Sequence, residues 1–297
     1  MLDPSPEAQV IRDNAERELD HLLYGTQRER DLLGLLVTAG GGLSSRDLAE
    51  LTGQTNSEVD RQLRTVSGRT FSSRESTWRP QDGAKVFMLA HEELNATAIA
   101  VLGDEGIAGY REAIHAWADS YRSQGWPPGA PEYLLRDYHR ILKDTNDLAR
   151  MVAYATDRTR LDRMLEVSGG DTAALAEISA CQSAICAYEM PDLYAMLLLA
   201  RIREFLTDRN TRIPIGLPGV WAVLGNPIRA EILARSITDL HRQDKALTSL
   251  ASVLAKAGRF DQAEALARSI TDPDLQAEAL CSLATILADV GRFDQAE

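Results

Sequence analysis

The chain has 297 residues, with 32 Lys and Arg against 44 Asp and Glu for a formal net charge of -12. At 44% hydrophobic and 26% charged residues it matches neither a disordered tail, a collagen-like rod nor a membrane protein, and its length suits roughly two domains of about 150 residues. A pI near 5.0 is the wrong sign for a domain whose main partner is a polyanion.

Residues 1–27 are polar and acidic and read as a helical lead-in. They hold no apolar core of a signal peptide, and nowhere does the chain run apolar for eighteen residues, so export and membrane anchoring are not expected. Cys181, Cys186 and Cys281 lack the two-residue gap of metal knuckles and redox motifs. Cys181 and Cys186, five apart on one helix and about 140 degrees apart around it, read as buried thiols. Together these features predict a cytoplasmic protein.

Residues 28–103 predict a winged-helix-like domain with a small β-hairpin. ERDLLGLL at 29–36 is amphipathic, and Gly40, Gly41 and Gly42 form a connecting loop. Ser44 or Ser45 then caps a helix with Leu48, Ala49 and Leu51 on its apolar side. A turn at 53–56 leads to a third helix carrying Val59, Leu63 and Val66. Strands are expected at 69–73 and 85–90, flanking an irregular stretch at 75–83. Residues 43–66 carry Arg46, Arg61 and Arg64 against Asp47, Glu50, Glu58 and Asp60, a poor phosphate footprint that argues against nucleic acid.

Residues 104–178 predict a helical connector rich in aromatic residues. Trp117, Tyr121, Trp126, Tyr133, Tyr138 and His139 fall close together, with Pro127, Pro128 and Pro131 between two helices. At helical spacing such a cluster reads as core, and no convergent polar set marks it as a ligand pocket.

Residues 179–297 are built on internal repetition. GRFDQAE occurs at 258–264 and again at 291–297, an offset of 33, and ARSITD at 234–239 and 267–272 has the same offset. In each unit one amphipathic helix, with Leu247, Leu250, Ala251 and Leu254, ends at a glycine turn, Gly258. A second helix follows through Phe260, Ala263, Leu266 and Ile270 to the break at Pro273. Residues 192–207 and 217–224 read as degenerate earlier copies. This unit resembles the tetratricopeptide repeat, with Leu247 where that family has its first aromatic residue and a period one residue short. The chain stops inside its last copy, so the natural polypeptide is expected to continue. The apolar face of Leu280, Leu283, Ala284 and Leu287 would then offer a route to self-association.

The whole order is similar to the region that follows the nucleotide-binding core in bacterial STAND-type ATPases of the NACHT or AAA-like kind. The phrases that carry the likeness are RDLLGLLVTAGGGLSSRDLAELTG, the GRTF to VFMLAHEEL wing, the YREAIHAWADSYRSQGWP helices, GLPGVWAVLG and AEALARSITDP. The resemblance implies a winged helix that holds an ATPase at rest and repeats that sense a trigger. ATP itself is expected only in an upstream domain or partner, because the chain has no Gly-Lys dipeptide and hence no phosphate-binding loop.

No catalytic or metal-binding constellation emerges, so no enzyme activity and no cofactor are assigned to this chain. His91 is followed four residues on by Asn95, not the second histidine of a zinc protease helix. The expected function is a non-catalytic regulatory and interaction module whose repeats bind a protein or peptide. On the first helices of the hairpins, Asp244, Thr248, Gln276 and Cys281 are the candidate partner-binding residues of a concave face. The alternative is a helix-turn-helix transcriptional regulator with an effector-sensing repeat domain.

Overall fold

The computed structural model describes residues 19, 22–66, 71–76, 78, 85–90, 92–289 and 291. The described chain is mainly helical, as expected, with a three-stranded sheet where a hairpin was expected, and divides into two compact units, Met1–Asp147 and Leu148–Glu297. Much of the lead-in, residues 77 and 79–83 of the expected irregular stretch, His91 and residues 292–297 of the last copy lie outside the described residues.

The first unit begins with α1 (Gln27–Ala39), opened by a capping box in which the Thr26 hydroxyl accepts from the Glu29 amide and the Glu29 carboxylate accepts from the Thr26 amide. Gly40, at φ 66°, closes the helix, and Gly41 and Gly42 continue in the left-handed region at 87° and 93°. Glycine is required at this turn for space as well as conformation. A Cβ on Gly41 would lie 2.6 Å from the Met88 Cβ, and one on Gly42 would lie 2.9 Å from the Asp137 carboxylate. The freed carbonyls are covered by Arg140, whose guanidinium donates to the oxygens of Ala39 (2.9 Å) and Gly40 (2.7 Å).

The turn delivers β1 (Leu43–Ser44), then α2 (Ser45–Thr52) and α3 (Asn56–Val66). Ser44 is the N-cap and pairs with Asp47 in a second capping box. The sheet has the order β1-β3-β2, antiparallel throughout, with β2 at Phe71–Glu75 and β3 at Lys85–Leu89. Residues 69 and 70 of the first expected wing strand lie outside the described residues, the described part running from Phe71 to Glu75, and β1 is a strand the sequence pattern did not announce, being only two residues long.

Helix α4 (Glu92–Ser123) packs on α1 and is broken at Gly103, φ 69° and ψ 168°, so that it is two helices joined at a kink. Gly125 and Trp126, both at positive φ, then turn the chain, with the Trp126 amide reaching back to the Tyr121 oxygen at 3.0 Å. Short helices α5 (Glu132–Arg136) and α6 (Tyr138–Asp144) complete the unit. Trp126, Tyr133 and Tyr138 are fully buried and Trp117 nearly so, which makes the aromatic cluster core. Its polar tips are matched: Trp117 donates to Glu50 at 2.9 Å, Tyr121 to the same carboxylate at 2.8 Å, and His115 Nδ1 lies 2.7 Å from the Tyr138 hydroxyl. Tyr121 and His139 stand partly outside this core.

The second unit runs through α7 (Leu148–Ala155), α8 (Arg158–Ser168), α9 (Thr172–Cys186), α10 (Leu193–Thr211), α11 (Leu217–Val223), α12 (Pro227–Ser236), α13 (Leu240–Lys256), α14 (Phe260–Arg268) and α15 (Pro273–Asp289). Buried Arg160 meets Glu177 in a two-pronged pair, 2.6 and 2.9 Å. Burial works against the charge on Arg160, but the Glu177 carboxylate outweighs it and holds the guanidinium protonated. Cys181, one turn beyond Glu177, is buried and its thiol is pushed up to about 12 by burial. Cys186 corrects the expectation of two buried thiols: it sits in the last turn of α9 and is exposed.

Candidate interaction surface of the repeat region

The 33-residue sequence period is a structural period. Gly225 and Gly258 sit at helix-to-helix turns and Gly291 just beyond α15, all in the left-handed region, at φ 84°, 77° and 76°. Each glycine amide bonds back to an alanine carbonyl three residues earlier: Ala222, Ala255 and Ala288. The next residue repeats too, since the amides of Asn226 and Arg259 bond to the oxygens of Trp221 and Leu254. An L side chain could not adopt this turn without cost, so glycine alone recurs there.

The second helices repeat as closely. Ala230 and Ala263 are fully buried, as are Ala234 and Ala267, while Leu233, Leu266, Ile237 and Ile270 fill the space around them. On the exposed side, Arg235 pairs with Glu231 and Arg268 with Glu264. Gln243 donates to the carbonyls of Arg235 (2.8 Å) and Ile237 (2.9 Å), and Gln276, 33 positions on, donates to those of Arg268 and Ile270, both at 3.0 Å. Asp239 and Asp272 accept from the amides of Arg242 and Leu275, again equivalent positions. Helix α13 packs on α11, α12, α14 and α15, joining neighbouring units in one apolar cluster.

The four candidate residues fall differently within this framework. Asp244 is 3% exposed, and its two oxygens accept from the amides of Thr271 (3.2 Å) and Asp272 (2.9 Å). It therefore caps the turn into the next helix from inside and presents nothing to a partner. Gln276 is committed to the turn carbonyls just described. Thr248 and Cys281 are the same position of successive units; Thr248 is half-buried and its hydroxyl donates to the backbone carbonyl of Asp244 at 2.9 Å, whereas Cys281 is exposed. Other first-helix residues that face outward include Lys245, Ser249, Glu278 and Thr285. Spacing held the signal for part of this set: Ser249 falls between the buried Leu247 and Leu250, and Thr285 between the buried Leu283 and Leu287.

In the first unit, Arg61 and Arg64 line an open cleft on α3 with Ser57 and Asp60. Asp60 accepts from the Ser45 hydroxyl at 2.5 Å, and Glu58 caps the start of α3, its carboxyl held below the usual range by hydrogen bonds from the Thr55 amide and hydroxyl. Among the described residues no group of three or more His, Cys, Asp or Glu is placed to hold a metal ion, and no helix is long and apolar enough to cross a membrane. Comparison with models of protein families, with curated proteins and with solved structures gives no match.

Proposed function

We propose that the chain is a regulatory interaction module, with a winged-helix-like first unit and a second unit whose tetratricopeptide-like repeats bind a protein or peptide. The observation that carries this reading is the recurrence of one set of turn glycines, buried alanines and glutamine staples every 33 residues. Such repetition generates stacked helix pairs with a continuous outer face, an architecture that suits grasping. Lys245, Ser249 and Glu278 are the contact candidates on that face. The order α1-β1-α2-α3-β2-β3 is the order a winged helix uses, which supports the first half of the reading.

The partner proposed for the first unit is a STAND-type ATPase domain, carried by another chain or by sequence upstream of this one. The test is to locate a GK[ST]-bearing reading frame adjoining this one, purify its product, and measure ATP hydrolysis with and without the chain. A change in hydrolysis that Lys245→Glu combined with Ser249→Arg leaves intact, and that a substitution at Arg61 or Arg64 removes, is expected for restraint through the first unit. No neighbouring ATPase, or no effect on one, overturns the coupling.

A second reading, a DNA-binding regulator, is favoured only by the paired Arg61 and Arg64 on α3. Tight duplex binding that falls steeply with salt in a mobility-shift series would establish it in place of the first.

A further inference from the structure

Helix α11 is the counterpart, 33 residues earlier, of the second half of α13, and it packs on α12 and α13. Leu217, Val220, Trp221 and Leu224 follow one another at i, i+3, i+4 and i+7, one face of a helix, and Leu224 is still in register because its amide bonds to the Val220 carbonyl at 3.0 Å. In the following unit α11 itself covers this face: Val253, the counterpart of Val220, stands against Gly219, where a Cβ would lie 3.6 Å from the Val253 Cγ2. On α11 the face is open, with Val220 53% and Leu224 63% exposed. Val223, Leu224 and Ile228, all exposed, take the places of Lys256, Ala257 and Asp261, which face solvent in the following unit. Apolar side chains at places the same repeat otherwise gives to charged and small residues mark a contact surface.

The cation on this face selects the occupant. The Arg229 guanidinium carbon lies 4.0 Å from the centre of the Trp221 ring, and the Arg229 stem passes so close to Gly169 that a Cβ there would have no room. Held by ring and backbone and partly buried, Arg229 makes no hydrogen bond and no ion pair among the described residues. The carboxylate that acts on it, Glu166, is bonded to Arg163, and burial pushes the guanidinium below its ordinary range. A carboxylate brought against such a cation gains a charge-assisted bond without displacing an existing partner. Trp and Arg are also the side chains on which binding energy concentrates at protein contacts. We infer that α11 and Arg229 form a docking site for an amphipathic helix of another protein, which covers α11 as α11 covers α13, lays apolar residues on Leu217, Val220 and Leu224, and presents an Asp or Glu to Arg229. The site rests on the proposed role of the repeats in binding a protein or peptide and gives that partner its chemistry.

Random peptides displayed on phage and selected on the immobilised full chain test the site. The selected sequences should share an Asp or Glu among apolar residues at helical spacing. One of them, synthesised with a fluorophore, should bind in anisotropy titrations with a dissociation constant on the order of 10 µM. Arg229→Gln, which removes no ion pair from the free chain, should raise that constant about 10-fold, and Leu224→Asp, at an exposed position, about 100-fold. Replacing the acid of the peptide by Lys should weaken binding to the wild type, and Arg229→Glu should restore it; failure of that reversal overturns the pairing of Arg229 with an acid. Selection that yields no acidic apolar sequence overturns the site, as does a peptide that binds both variants as tightly as the wild type. If Lys245→Glu combined with Ser249→Arg abolishes binding of that same peptide, the repeats still bind a peptide and only this site falls. A wild type that sediments as a dimer and becomes monomeric with Leu224→Asp also overturns it, because a second copy then occupies the face.

Discussion

Asp47 shows how a capping residue can stabilise a helix start and still carry an electrostatic cost. Its carboxylate accepts from the Ser44 amide at 2.8 Å, yet the side chain is buried, and burial pushes its pKa from 3.8 up to about 6 against the lowering effect of those hydrogen bonds. A carboxyl whose folded pKa is raised favours folding while protonated; that contribution is complete below pH 4 and is lost as pH rises to about 6, with no further change above. Asn at this position keeps an oxygen for the Ser44 amide and removes the charge. Asp47→Asn should therefore match the wild type at pH 4 and exceed it by roughly 2–3 kcal/mol at pH 7.5. Urea unfolding at the two pH values measures the difference; a variant less stable at pH 7.5 would mean that the charge at the helix N-terminus outweighs its burial.

At the scale of elements, the glycine turns make a sharper demand than the helices they join. Gly258 sits at φ 77° with open space around its Cα, so a methyl group there meets no neighbour and the effect of Gly258→Ala isolates backbone strain. The expected loss is about 1–2 kcal/mol. Gly109, exposed in the second half of α4 and equally free of neighbours, is the control: with helical backbone, Gly109→Ala should gain about 0.5–1 kcal/mol. Thermal unfolding of the two variants should move in opposite directions. The same contrast explains what could be read from the sequence. Turn glycines, the apolar stripe through Leu247, Leu250 and Leu254, and the aromatic core are local or periodic signals, and each emerged with its element. Asp244 resembled a surface carboxylate because nothing local says that the amides of Thr271 and Asp272, 27 and 28 residues away, will close over it. Glu50 was counted as a charge against phosphate, whereas its work is to accept from Trp117 and Tyr121 across the first unit.

At the scale of the whole molecule, the equivalence of positions 33 apart makes the second unit extensible. Asp239 and Asp272 both cap the first helix of a unit, Gln243 and Gln276 both staple the preceding turn, and the core of one unit is continuous with the next. A tandem duplication of residues 239–271 inserts one full period and places the new Asp239 where Asp272 stood, so every cap and staple keeps its partner. Stability in such an array is a sum of unit and nearest-neighbour terms, and an added unit brings one more interface than it removes. The duplicated chain should fold, gain helical signal in proportion to the added residues, and unfold at a temperature equal to or above that of the parent, as circular dichroism would record. A duplication of the same length begun at residue 247 also preserves the period, so it should behave alike. One shortened by two residues shifts the glutamine that follows the junction away from the Arg268 and Ile270 carbonyls and turns the buried alanines off their face, and it should melt lower and with less cooperativity. If the shortened insertion is tolerated as well as the full one, the 33-residue matches are a record of duplication in the gene and not a mechanical repeat of the protein.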